Sequence, residues 1–249
     1  MATVIGTRFA SFHRWDRTAV MLCVMVVWIV ILAGFGWDMV QKAAAGRSLR
    51  YPLIVHAHAV TYGAWLVLLA AQVVLIRTRN IALHRKLGMA VLALWPLMLI
   101  LGPAVALSLK IAKVTIKASS LSFMATQFTN VLGAVVLIAA GFLYRRDGAA
   151  HKRLMLMGTI AITEPGFSRL IADPIGDWLG EGYWQYYAAT YPGTLLLMLA
   201  LGGYDVLTRG RPHPAWVAAF LWVLANEILA TWLYYQPFWL NWMRALTGH

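Results

Sequence analysis

Apolar residues in this chain come in long runs separated by short polar links. A helix needs roughly 20 apolar residues to cross a hydrocarbon core about 30 Å thick. Seven stretches meet that length: 18–37, 52–76, 87–109, 119–143, 154–172, 186–207 and 215–235. The links are too short to fold by themselves. The pattern therefore predicts an all-α, polytopic membrane bundle of about seven helices, forming one domain over residues 1–249.

Composition agrees, with 61% hydrophobic and 12% charged residues, where a soluble domain carries roughly 25% charged. The net charge of +12 raises the question of nucleic acid. The bases, however, sit between apolar runs, where they orient helices and meet anionic lipid. Nucleic acid is not an expected partner; the lipid bilayer is. Cys23, the one cysteine, excludes an internal disulfide and the cysteine-rich zinc patterns.

Lys and Arg in the short links set the orientation. One side holds Arg8, Arg14, Arg17, Arg77, Arg79, Arg85, Lys86, Arg145, Arg146, Lys152, Arg153, Arg209 and Arg211. The other holds only Lys42, Arg47, Arg50, Lys110, Lys113, Lys117 and Arg244. The richer side is cytoplasmic, so the N-terminus is expected inside and the C-terminus outside, in a cell membrane such as a bacterial inner membrane. Ala43-Ala44-Ala45 resembles a leader-cleavage site, but the preceding run has full spanning length and Asp38 and Lys42 intervene, so an uncleaved helix is expected. Residues 173–185 carry Asp173, Asp177 and Glu181 among Ile175, Trp178, Leu179, Tyr183 and Trp184, which predicts an amphipathic piece on the outer face. Phe238, Trp239 and Trp242 read as an outer aromatic anchor.

Each helix that leaves the cytoplasmic side starts beside a histidine: His13-Arg14, His84-Arg85-Lys86-Leu87, His151-Lys152-Arg153-Leu154 and His213. Arg79 precedes His84 by the same five residues that separate Arg146 from His151, as if two helical hairpins were related. Such residues suit a headgroup boundary without further function. The sharper reading is a pair of axial haem ligands, His84 and His151. At His84-Arg85-Lys86-Leu87-Gly88, preceded by the helix of His56 and His58, the sequence resembles transmembrane haem-b cytochromes of the ascorbate-reducible and ferric-reductase kind. It equally resembles bacterial multi-span proteins with a His-Arg-x-Leu-Gly helix start. The resemblance covers spans two to five and implies haem b with transmembrane electron transfer. The outer half lacks a second histidine helix to pair with His56 or His58, so one haem carries over, onto His84 and His151.

Ionisable groups inside a membrane mark function by default. Here they are His56, His58, Glu164, Arg169 and Glu227, with Gln127, Asn130 and Asn226 adding uncharged polarity at similar depth. His56 and His58 point about 200° apart on a helix, so they do not share one ion, and no metal site is assigned. Pro165 predicts a kink beside Glu164. Arg169 is spaced to pair with Asp173. His56, His58, Gln127, Glu164, Arg169 and Glu227 are expected to form one polar intramembrane site that takes a proton, quinone or small solute, or a buried ion pair fixing helix register.

No Gly-rich nucleotide loop, His-Glu-x-x-His or Gly-x-Ser-x-Gly occurs, so no catalytic residue is assigned. Three classes stay open: a haem- or quinone-linked redox protein, a proton-coupled or small-solute transporter, and a non-catalytic assembly protein with a membrane-protein partner or a second copy of itself.

Overall fold

The computed structural model describes residues 9–180 and 182–249, and the backbone alone at 172, 173, 176 and 177. Arg8, Glu181 and the side chains of Asp173 and Asp177 lie outside the described residues, and with them the expected Arg169–Asp173 pair. Among the described residues the chain is all helix and no strand. The helices are α1 (Asp16–Ala44), α2 (Leu53–Arg77), α3 (Ile81–Gly88), α4 (Val91–Ile111), α5 (Ala118–Ser122), α6 (Met124–Leu143), α7 (Gly148–Ala161), α8 (Glu164–Leu179), α9 (Tyr183–Arg209), α10 (Pro214–Tyr234) and α11 (Pro237–Thr247).

Among the described residues, five helical stretches are long and apolar enough to cross a membrane: Asp16–Ala44, Leu53–Arg77, Ile81–Ile111, Ala118–Leu143 and Pro214–Tyr234. They mark an integral membrane protein. Their outward surfaces carry Ile29, Leu32, Val60, Ile100 and Ile228, large apolar side chains that stay well exposed. That is the inverse of a water-soluble surface and suits contact with lipid.

The other two expected spans differ for local reasons. The stretch at 154–172 is two helices, α7 and α8, meeting in a turn at Ile162-Thr163. Pro165 cannot donate to a carbonyl one turn back, and its ring crowds that carbonyl. The helix stops before it and restarts at Glu164, with Gly166 N–H donating to Thr163 O at 2.9 Å. Neither piece alone is long enough to cross. The stretch at 186–207 lies within α9, which is 27 residues long but carries Tyr183, Gln185, Tyr186, Tyr187, Tyr191 and Asp205. Those polar groups keep it below the apolarity of the five. The expected surface piece at 173–185 is split between the end of α8 and the start of α9.

The α6–α7 hairpin is the centre of the bundle. α10 packs on both of its helices, α4 on α6 and α2, and α8 fits between α1 and α9. Small residues permit the closest crossings. A Cβ on Gly34 would stand 2.2 Å from the Gly166 carbonyl oxygen, so the α1 and α8 backbones touch directly. The main core joins Val27, Trp65, Met98, Ile138, Met157, Ile160 and Met198. A smaller core gathers Leu121, Met124, Trp239 and Met243 beneath α11. Trp239 therefore turns inward, donating to Ser122 O at 3.1 Å, while Phe238 and Trp242 stay exposed.

Candidate functional site

The repeated histidine signature has a capping residue in each copy. Asn80 Oδ1 accepts from Leu83 N–H at 3.1 Å at the start of α3. Asp147 Oδ1 accepts from Ala149 and Ala150 N–H at 2.9 and 3.1 Å at the start of α7. Each cap satisfies helix-start donors and fixes where the helix begins. In both copies the histidine sits one turn later, donating its backbone N–H to the cap residue's carbonyl: His84 to Asn80 at 3.0 Å and His151 to Asp147 at 2.8 Å. The two rings meet edge to face, with centroids 6.3 Å apart and planes at 88°.

That separation has chemical meaning. A metal–imidazole nitrogen bond is about 2.0–2.1 Å, and the ring centre lies about 1 Å further, so two imidazoles on opposite sides of one metal have centres roughly 6 Å apart. The His151 Nδ1 lies 2.7 Å from Gly141 O. A carbonyl only accepts, so Nδ1 carries the hydrogen, and in neutral imidazole Nε2 holds the free lone pair. A hydrogen bond of this kind orients metal-binding histidines. His84 Nδ1 is buried without a partner of good geometry, although the Gln72 backbone lies nearby.

Both rings line a cavity of about 1000 Å³, at the upper end of the roughly 300–1,000 Å³ that holds cofactor-sized ligands. Its walls are Val20, Trp65, Leu68, Leu69, Val73, Phe142, Met155 and Leu156. Arg17, Arg77, Arg79, Arg85, Arg145 and Arg146 also line it. The Gln72 side-chain nitrogen and oxygen are both buried without a protein partner, and Gly88 leaves open the space beside that amide, where a Cβ would stand 3.4 Å from Nε2.

Next to the cavity lies an ion network that the sequence reading passed over. Asp16 accepts from Lys152 at 2.6 Å, from Arg209 at 2.7 and 2.8 Å, and from the Tyr204 hydroxyl at 2.8 Å. Arg153 forks onto Asp205, its Nε donating to Oδ2 at 2.6 Å; the side chains of this pair are 2% and 0% exposed. Phe9 lies under both guanidiniums, 4.8 Å from Arg153 and 5.2 Å from Arg209, and stacks edge-on against His213 at 4.6 Å. Burial and the nearby Arg153 charge hold His213 below its ordinary pKa. The network ties α1, α7, α9 and α10 together. Its sequence signal was Asp205, a lone acid at the end of an apolar run.

The second candidate site lies further along α6. Asn130 and Phe142, one from each cavity, are twelve residues apart on that helix, or about 18 Å at 1.5 Å per residue. Glu164 and Glu227 line one cavity of about 20 Å³ with Thr129, Asn130, Tyr191, Thr194 and Asn226. Asn130 Nδ2 donates to Glu164 Oε2 at 3.4 Å, and the Tyr187 hydroxyl donates to Glu227 Oε2 at 3.3 Å. Asn226 donates to Trp222 O at 2.7 Å.

The other residues expected here are spread more widely. Arg169 donates to Pro165 O at 2.7 Å, stands 3.7 Å from Asp38 Oδ2 and covers the Phe35 ring at 4.1 Å. His58 stacks on Tyr62 at 4.2 Å, and the Tyr62 hydroxyl donates to Met98 O at 3.0 Å. His56 is exposed, and Gln127 is half-buried with Oε1 lacking a protein partner. Neither His56, His58, Gln127 nor Arg169 lines the carboxylate cavity. No protein-family model, curated protein or solved structure matches the chain.

Proposed function

We propose that the chain is a membrane-embedded haem-b redox protein in which His84 and His151 would hold the haem. The observation that carries this reading is the close imidazole pair, with ring centroids 6.3 Å apart, on a cofactor-sized cavity rimmed by arginines. His151 would bind through Nε2, oriented by its Gly141 hydrogen bond. His84 approaches from α3, with the Gln72 amide and Gly88 beside it. Arg79, Arg85, Arg145 and Arg146 supply the planar cationic groups that suit carboxylate side arms. A bound haem supplies one-electron chemistry at iron. The protein's part is to hold the two nitrogens, wall the site with apolar side chains and neutralise its acidic edge.

The same reading places seven crossings in the membrane: α1, α2, α3–α4, α5–α6, α7–α8, α9 and α10. The arginine-rich links, including those that line the large cavity, then face the cytoplasm. A solute transporter is supported less well, because a cavity of about 20 Å³ admits a water but no larger solute.

The visible spectrum tests the assignment. Haem-replete cells should yield protein with a Soret band and a sharp α-band on reduction, and His84→Ala and His151→Ala should each abolish the six-coordinate spectrum. Folded, colourless protein from such cells would refute the proposal. An unchanged spectrum in both variants would move the ligands elsewhere.

A further inference from the structure

We infer that Glu164 and Glu227 together hold one exchangeable proton through a water in the small cavity between α6, α8, α9 and α10. Hydrogen bonding around this cavity is incomplete. Glu227 is 4% exposed and its Oε1 has no protein partner; Tyr191 is 6% exposed, and its hydroxyl, beside that of Thr126, has no hydrogen bond of good geometry. Both residues line the cavity. Buried groups of this kind are satisfied by a bound species. The cavity of about 20 Å³ exceeds the roughly 10–15 Å³ of probe volume that one water requires.

Two carboxylates face this space. The groups brought to it by the packed helices are Thr129 and Asn130 from α6, Tyr187, Tyr191 and Thr194 from α9, and Asn226 from α10, all uncharged donors or acceptors. Among the described residues the cation acting on Glu164 is Arg169 of α8, which also stands 3.7 Å from Asp38 of α1, a carboxylate already paired with Lys42 at 2.7 Å. Two ionised carboxylates against one shared guanidinium leave a surplus negative charge in a medium that penalises it heavily. A single proton removes that surplus.

The geometry separates this site from the haem reading, on which it does not depend. The acids of the ion network, Asp16 and Asp205, instead each face an arginine directly.

Infrared difference spectroscopy on the full chain in lipid nanodiscs tests the inference. Between mildly acidic and alkaline buffer, a protonated-carboxyl stretch should disappear, with a downshift in D2O. Glu164→Gln and Glu227→Gln should each remove that band, whereas Tyr187→Phe should shift its frequency and leave it present. If Glu164→Gln fails to fold, Glu227→Gln and Tyr187→Phe decide the matter. A band unchanged in Glu227→Gln, or no carboxyl band at all, overturns the inference. So would melting that rises in sodium relative to choline and loses that response in Glu227→Gln, because the cavity would then hold a metal cation.

Discussion

Removing Asp205 should be among the most damaging single changes available in this protein. Asp205 and Arg153 are almost wholly buried, and the guanidinium meets both carboxylate oxygens. In Asp205→Ala, Arg153 keeps its donation to Ala149 O at 2.8 Å and the face of Phe9, but loses its counter-charge. Arg209 stands 3.6 Å from Asp205 and holds Asp16 as well, so it loses much less. Breaking a buried pair on one side costs about 3–5 kcal/mol. At about 1.4 kcal/mol per decade, that is roughly a hundred- to several-thousand-fold change in the unfolding equilibrium. Replacing both partners with apolar residues, Arg153→Met with Asp205→Leu, should recover most of the loss, because no charge is then stranded. Reversible unfolding in mixed micelles, run as a double-mutant cycle, measures both. A loss under about 1 kcal/mol in Asp205→Ala would refute the reasoning, since it would mean that water reaches Arg153.

Two further outcomes follow from the packing. Gly34→Ala should destabilise the fold even though alanine favours a helix by about 1 kcal/mol, because its Cβ meets the Gly166 backbone; Gly36→Ala, with open space around it, should be neutral or stabilising in the same unfolding assay. His213 is held below its ordinary value of 6.5, so the unfolded chain binds the proton first. The His213 contribution is complete above about 6.5 and is lost as pH falls through the lower, folded value. Protonation also removes the Nδ1 acceptor that caps Ala215 N–H at 3.0 Å. His213→Asn keeps a capping side chain without the titration and should flatten that part of the stability–pH curve.

Apolar run length made the membrane helices legible in the sequence, because crossing hydrocarbon constrains length and composition together. It overstated the continuity of the run at 154–172, where Pro165 decides the local structure. That His84 and His151 stand side by side was legible because both copies repeat the spacing to an upstream arginine. The cause is the cap that places each histidine one turn into its helix, at Asn80 and Asp147. The polar intramembrane set was legible as chemistry but not as geometry. Depth along a helix can be counted from sequence, whereas which faces meet depends on crossing angles and small-residue contacts such as Gly34 on Gly166. That is why Glu164 and Glu227 converge while His56 remains exposed on α2. The Asp16 and Asp205 network was missed because its partners lie up to 193 residues apart in sequence.

Gln72 gives a test that separates a binding cavity from mere loose packing. Its amide carries a donor group and an acceptor, both buried in the wall of the large cavity without protein partners. A buried group left unsatisfied costs about 1–3 kcal/mol, which selection for stability alone would remove by placing leucine here. Gln72→Leu should therefore raise the unfolding stability of protein produced without haem by about 1–3 kcal/mol. If the amide serves a guest between His84 and His151, the same substitution should weaken haem retention in a competition with an apo-haem acceptor while leaving both imidazole ligands in the spectrum. The two effects have opposite signs, so a folding defect cannot imitate them. Lower stability in the haem-free Gln72→Leu protein would show that Gln72 is satisfied within the bundle, and the cavity would lose its strongest polar mark of a ligand.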